Sequence, residues 1–257
     1  MAIHPTAIVA AGAAIDPSCD IGPYAVVGEK VRMGPGCVVG AHAVVEGNTT
    51  MGAGNRIFHH AVVGAPPQDL KYRGEDTRLE MGDGNMVREF ASIHAGTVGG
   101  GGVTRLGDQC LVMASAHVAH DCLLGNRVIV ATFCALAGHV EAEDGVIFGG
   151  VSAVQQFTRI GRLAYVGGVT GLVMDLAPYL MAAGARAEVV GINLVGLQRA
   201  GFTDAQIGRV KSAYKIVFRS KLPLKEALAQ VRAEHGGNPE IDHWVGFIEK
   251  SERGILR

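Results

Sequence analysis

Residues 114–126 read ASAHVAHDCLLGN and gather several side chains able to do chemistry. His117 and His120 stand three apart, and Asp121 and Cys122 follow at once. Imidazole is the side chain whose ordinary pKa lies nearest neutrality, and a neighbouring carboxylate can hold one of its tautomers. Three readings fit this spacing. His120 is a general base oriented by Asp121. Alternatively, His117 and His120 bind a metal with His94 or His139, an arrangement that needs three ligands and partners behind them. The third reading is a set of surface histidines in a polar rim. No G-x-S-x-G elbow or P-loop run in the chain supports another chemistry.

The frame that carries these residues is periodic. Starting from Ile3, steps of six reach Val9, Ile15, Ile21, Val27, Met33, Val39, Val45, Met51, Ile57 and Val63. After Asp69 and Glu75 the rhythm returns at Met81, Val87 and Ile93. It resumes one residue out of step at Leu106 and continues to Leu172. Four residues past each aliphatic comes a small side chain, as at Ala7, Cys19, Ala25 and Cys37. Glycine often follows the aliphatic directly, at Gly22, Gly28, Gly34, Gly40 and Gly52, which reads as tight-corner chemistry. A period of six suits neither an isolated helix nor an alternating strand. It suits short strands joined by corners, three hexads to a triangular coil of about 18 residues, with coils stacked at roughly 4.8 Å. The expectation is a β-solenoid of about nine coils, a prism roughly 40 Å long.

Bulk properties agree. Hydrophobic residues make up 48% of the 257 but aromatics only 5%, so the core must be small and branched. The net charge of −1 offers no field for nucleic acid. The start, MAIHPTAIVA, has neither a basic leader nor a long apolar run, and no stretch reaches the ~20 apolar residues of a membrane span. A soluble cytoplasmic protein is expected. Cys19, Cys37, Cys110, Cys122 and Cys134 all occupy the small-residue position, which reads as reduced thiols packed as small hydrophobes. That removes Cys122 from the chemistry of the opening motif.

Two segments break the rhythm. PPQDLKYRGEDTR, residues 66–78, is charge-rich and should loop out of the prism, with Gln68, Asp69 and Lys71 as candidate contacts. GTVGGGGVT, residues 96–104, reads as a flexible excursion. Past Pro178 the hexads stop. Thr203 and Gln206 form a capping box for a helix running toward Ser220, and further helices are expected over 224–234 and 239–250. The division is therefore 1–185 for the repeat domain and 186–257 for a helical domain, which carries 12 basic and 8 acidic residues. A coil of 18 residues sets Gly138 above His120 and His139 above Asp121, so a Gly138 amide could face an oxyanion forming beside the imidazole.

The runs SAHVAHDC at 115–122, QDLKYRGEDTR, IHAGTVGGGG at 93–102, LAGHV at 136–140 and GINLVGLQRAGF at 191–202 closely resemble the UDP-N-acetylglucosamine O-acyltransferase family, and the likeness spans the chain to its terminal RGILR. The resemblance implies a left-handed parallel β-helix with a helical C-terminal domain, assembled as a homotrimer with active sites between subunits. It implies transfer of a 3-hydroxyacyl chain from acyl carrier protein to the glucosamine 3-hydroxyl of UDP-N-acetylglucosamine, the first step of lipid A biosynthesis. No metal or cofactor is implied beyond the phosphopantetheine that acyl carrier protein brings. Carried onto matching positions, His120 is the base with Asp121 beside it, and the Gly138 amide stabilises the oxyanion. Gln68, Asp69, Lys71, His94, His117 and His139 line the substrate cleft, while Gln156, Asn193 and Arg199 hold acyl donor or nucleotide. Gln155, Val195 and Ala200 depart from the family pattern of a histidine, an acidic residue and a second arginine at those places. An acetyl-CoA-dependent acetyltransferase, a zinc hydratase and a non-catalytic scaffold are the competing classes.

Overall fold

A hexad supplies a short strand and a corner, so three of them close a triangle and the chain climbs one strand spacing per coil. The computed structural model describes residues 2–257 and shows this arrangement, a left-handed parallel β-helix followed by helices. Among the described residues the first face has 11 strands, the second 9 and the third 8. Every aliphatic position of the hexad series lies in a strand. Parallel pairing sets Ile3 beside Ile21, Val27 beside Val45 and Val130 beside Phe148. The aliphatic residues and the small residues four positions on fill the interior. All five cysteines are buried and unpaired. Cys19, Cys37 and Cys122 donate to the carbonyls of Gly34, Gly52 and Ala137, each at 3.2 Å.

The glycines differ from expectation in their role. Gly22, Gly34 and Gly40 do not have left-handed backbone. A Cβ on Gly34 or Gly40 would lie 2.8 Å from the backbone of the next coil, so these positions need glycine for close approach. The left-handed residue is instead the third past the aliphatic, and it is mostly not glycine.

Both interruptions leave the prism at the same corner, between the second and third faces. Met81 and Leu106 still take their places on the third face, Met81 between Met51 and Leu106. No coil is lost; two successive coils carry an inserted loop.

After the last hexad the chain forms an antiparallel hairpin, Leu180–Ala183 with Glu188–Ile192, which extends the first face. The sequence reading had only helices here. The alternation of buried and half-buried residues over Leu180–Ala183 is a strand pattern, and Gly184 supplies the turn at φ 112°. Four helices follow: α1 (Leu194–Arg199), α2 (Asp204–Arg219), α3 (Leu224–His235) and α4 (Pro239–Glu249). The capping box holds: Thr203 N donates to Gln206 Oε1 at 2.9 Å and Gln206 N to Thr203 Oγ1 at 3.3 Å. The short α1, interrupted by Gly196, was not foreseen. Buried Trp244, Val217 and Val231 form the helical core. The helical part is pinned to the prism through buried Asp175, which accepts from Arg159 N at 2.8 Å and Ser251 Oγ at 2.7 Å.

Candidate active site

Two ladders of side chains run up the corner between the second and third faces. One holds His120, Gly138 and Gln156; the next holds Asp121, His139 and Phe157. The second ladder is left-handed, with φ 60°, 62° and 62°. That conformation costs an ordinary L-residue about 1–2 kcal/mol, so the stacked coils must hold it in place. His139 N donates to His120 O at 3.0 Å and Phe157 N to Gly138 O at 3.2 Å, locking each rung to the one below.

At the foot of the ladders His120 Nδ1 lies 2.7 Å from Asp121 Oδ2. The carboxylate side chain is 0% exposed and the imidazole 9%. An ionised carboxylate only accepts, so a neutral imidazole in this contact carries its hydrogen on Nδ1 and keeps its lone pair on Nε2. Nε2 has no protein partner among the described residues and is not sealed from the cleft. The ring lies against Gly138: a Cβ there would be 2.4 Å from Cε1 and 2.7 Å from Nε2. Gly138 N–H donates to no acceptor among the described residues.

The carboxylate is itself held. Thr97 N donates to Oδ1 at 2.8 Å and Thr97 Oγ1 to Oδ2 at 2.6 Å. Asp121 N donates to Thr104 Oγ1 at 2.8 Å. These threonines come from the glycine-rich segment, which is therefore anchored and not a free excursion; it includes a short 3-10 turn at Val98–Gly100. Thr97 and Thr104 escaped the sequence reading. Thr97 is 24 residues from Asp121, a spacing outside the 18-residue coil, because the insertion breaks the count.

The other imidazoles surround the dyad. His139 sits edge-on to His120 with ring centroids 5.2 Å apart and stacks on Phe157 at 4.2 Å. His94 and His117 are edge-on at 5.0 Å, and His117 Nδ1 is 2.8 Å from Ser92 Oγ. Burial, and then the neighbouring His117 and His120, push His94 down to about 4. Burial also lowers His117 and His139; the neighbouring His120 adds to both, and at His139 the Asp121 carboxylate opposes the shift without reversing it. These three are neutral at physiological pH.

The loop 66–78 closes one side. Asp69 Oδ1 accepts from Lys71 N at 2.9 Å, and Lys30 Nζ ties Asp76 to the prism at 2.9 Å. Asp69, Lys71, Thr97, His139 and Phe157 line a cleft of about 330 Å³. On the other side of His139 and Phe157 a second cleft of about 690 Å³ runs along the third face to Arg159, Lys250 and Arg253. Gln68 and Gln156 are exposed near this corner. Asn193 and Arg199 are elsewhere: with Arg127, Tyr165 and Val195 they line a separate cavity of about 460 Å³. Asn193 caps α1, accepting from Gly196 N at 3.0 Å and donating to Leu163 O at 2.8 Å. Within one chain the expected site residues thus fall into two places.

Comparisons with known proteins bear on this arrangement. A family profile described as UDP N-acetylglucosamine O-acyltransferase, domain 2, matches residues 175–256. A relative from Anaeromyxobacter dehalogenans, named acyl-[acyl-carrier-protein]--UDP-N-acetylglucosamine O-acyltransferase, is 66% identical over 257 residues, all of both chains. A Burkholderia orbicola protein of the same name is 51% identical over 99% of each chain. The crystal structure of UDP-N-acetylglucosamine O-acyltransferase from Moraxella catarrhalis superposes with a TM-score of 0.96 at 42% identity, covering 100% of both chains. With its ladder site set in a left-handed β-helix, the molecule is an acyltransferase of the hexad-repeat class. The chain belongs to the UDP-N-acetylglucosamine O-acyltransferase family.

Proposed function

We propose that the protein transfers a 3-hydroxyacyl chain from acyl carrier protein to the glucosamine 3-hydroxyl of UDP-N-acetylglucosamine, opening lipid A biosynthesis, with His120 as general base. The observation that carries this reading is the buried Asp121 carboxylate on Nδ1 of His120, which leaves Nε2 free at the cleft. Nε2 takes the proton of the sugar hydroxyl as its oxygen attacks the thioester carbonyl. The oxyanion then faces the unengaged Gly138 N–H. Collapse breaks the carbon–sulfur bond, and the imidazolium returns its proton to the departing phosphopantetheine thiolate. No covalent enzyme intermediate is needed. Asp69 and Lys71 sit where a sugar nucleotide entering the smaller cleft would meet them.

His120, Asp121 and His139 also bring three possible metal-ligating atoms within 4.8 Å. We read the cluster as metal-free, because Asp121 Oδ2 already takes hydrogens from His120 and Thr97, and a cation would displace both. Full activity after chelation is the matching outcome.

The reading includes a homotrimer working in the cytoplasm. Tyr24, Phe90, Phe133, Val151 and Val169, each 57–68% exposed, form a stripe up the corner between the first and second faces. Tyr24, His42, His60 and Phe90 stack along it at centroid spacings of 5.0 Å. Such a patch calls for cover by other copies. Packing copies side by side would also let the Asn193–Arg199 cavity of one approach the His120 corner of the next. A monomer in sedimentation equilibrium would remove the trimer from the proposal. For the chemistry, His120→Ala should lower transfer from acyl carrier protein by ~10²–10⁴ with fold retained. A variant that keeps more than about a third of wild-type activity would sink the base assignment.

A further inference from the structure

The glycine-rich insertion does more than leave the prism. Its Thr97 supplies two of the three hydrogen bonds to the Asp121 carboxylate, one from the amide and one from the hydroxyl. The hydroxyl donates to Oδ2, the oxygen that also meets His120 Nδ1. Gly100 lies so close over the carboxylate that a Cβ would be 2.1 Å from Asp121 Cγ. The loop is closed on itself, since Thr97 O accepts from Gly100 N at 3.0 Å and Gly102 N at 2.8 Å. A carboxylate alone can rotate about its last bond and offer either oxygen to the imidazole. This one cannot: each oxygen has its own donor, and the space above it is filled.

We propose that Thr97 is a positioning residue for the transfer reaction, holding the Asp121 carboxylate and, through it, the tautomer and ring orientation of His120, with Gly100 as the cover that keeps water off the carboxylate. The proposal rests on the reading of His120 as base. It assigns a chemical task to an insertion whose composition suggests only flexibility. The hydroxyl matters in two ways. It stabilises the ionised carboxylate by a charge-assisted bond, and it fixes which lone pair of Oδ2 faces Nδ1. Without it the carboxylate can swing, and a fraction of His120 rings lose the Nδ1–H tautomer that leaves Nε2 free to accept a proton.

The test uses full-length enzyme with acyl carrier protein thioester and UDP-N-acetylglucosamine. Thr97→Val removes the hydroxyl and keeps shape and amide; Thr97→Ser keeps the hydroxyl. Thr97→Val should lower kcat by roughly ten- to a hundredfold, the scale of one lost hydrogen bond to a charged group. KM for the sugar nucleotide should stay within about threefold, since only the proton transfer is disturbed. Thr97→Ser should recover most of the rate. In an Asp121→Asn background, Thr97→Val should have no further effect, because its path of action is already cut. Equal rates for Val and Ser variants, or a full additional loss in the Asp121→Asn background, overturns the proposal. The underlying base assignment is judged separately by His120→Ala: if that variant is dead while Thr97→Val is fully active, the positioning role alone is wrong.

Discussion

Replacing Gly138 by alanine probes the centre of the site with one methyl group. The added carbon would lie 2.4 Å from Cε1, 2.7 Å from Nε2 and 3.0 Å from Nδ1 of His120. Carbon contacts are comfortable at roughly 3.5 Å and beyond, so the ring must retreat by about 1 Å. It cannot do so freely, because Nδ1 is held at 2.7 Å from a carboxylate that is fully buried and bonded to Thr97. A shift of about 1 Å in a reacting group is worth roughly 10² in rate, or about 2.7 kcal/mol of barrier. Backbone strain does not confound the result, since Gly138 is not among the positions of left-handed φ. Alanine also keeps the N–H assigned to the oxyanion, so the loss reports on the base alone. We expect kcat for transfer from acyl carrier protein to fall about a hundredfold with an unchanged circular dichroism spectrum. Gly138→Ala at more than about a third of wild-type kcat would show that the imidazole seen against Gly138 is not the reacting group.

His94 predicts a pH effect on stability. Its folded pKa of about 4 lies below the ordinary 6.5, so the unfolded chain binds the proton more readily. The contribution is complete above pH 6.5 and declines as pH falls toward 4, by roughly 3 kcal/mol per buried imidazole; urea midpoints should drop over that range and drop less in His94→Gln. Excising residues 68–75 should abolish transfer yet move the melting temperature by only a few degrees, because the hydrogen bonds of these residues stay within the loop and the cut spares the exposed ion pair of Lys30 with Asp76; a fall of more than about 10 °C would make the segment structural. On α2, Arg209 is committed to Glu240 at 2.6 Å, which leaves Lys211, Lys215 and Arg219 as an exposed basic stripe. Lys211→Glu with Lys215→Glu should weaken use of an acidic acyl carrier protein at low salt and leave a small thioester donor unaffected; equal effects on both donors would exclude this face as the docking site.

The prism was legible because its rule is local. One aliphatic and one small residue per hexad, repeated from Ile3 to Leu172, place the strands over that span, and the 18-residue coil then stacks Gly138 over His120 and His139 over Asp121. The glycine rule was misread for a physical reason. Composition cannot distinguish a glycine needed for left-handed φ from one needed because the next coil passes within 3 Å, and Gly34 and Gly40 are of the second kind. Beyond Leu172 the period vanishes, so the hairpin of Leu180–Ala183 with Glu188–Ile192 had only short, ambiguous alternation to announce it.

The site itself divides along the same line. His120, Asp121, Gly138 and His139 are related by coil arithmetic and could be assembled on paper. Thr97 and Thr104 could not, since an insertion of arbitrary length carries no register. Yet the insertion is what completes the dyad. A bare β-helix corner would leave the Asp121 carboxylate in water, where it is mobile and its pull on the imidazole is screened. Burying it without donors would leave its oxygens unsatisfied, at a cost of roughly 1–3 kcal/mol or more. The loop resolves this by bringing burial and hydrogen bonds together: Gly100 removes the water, and the Thr97 amide and hydroxyl replace it. Periodic coils position the His120 imidazole, and the aperiodic insertion gives its partner carboxylate both its cover and its donors.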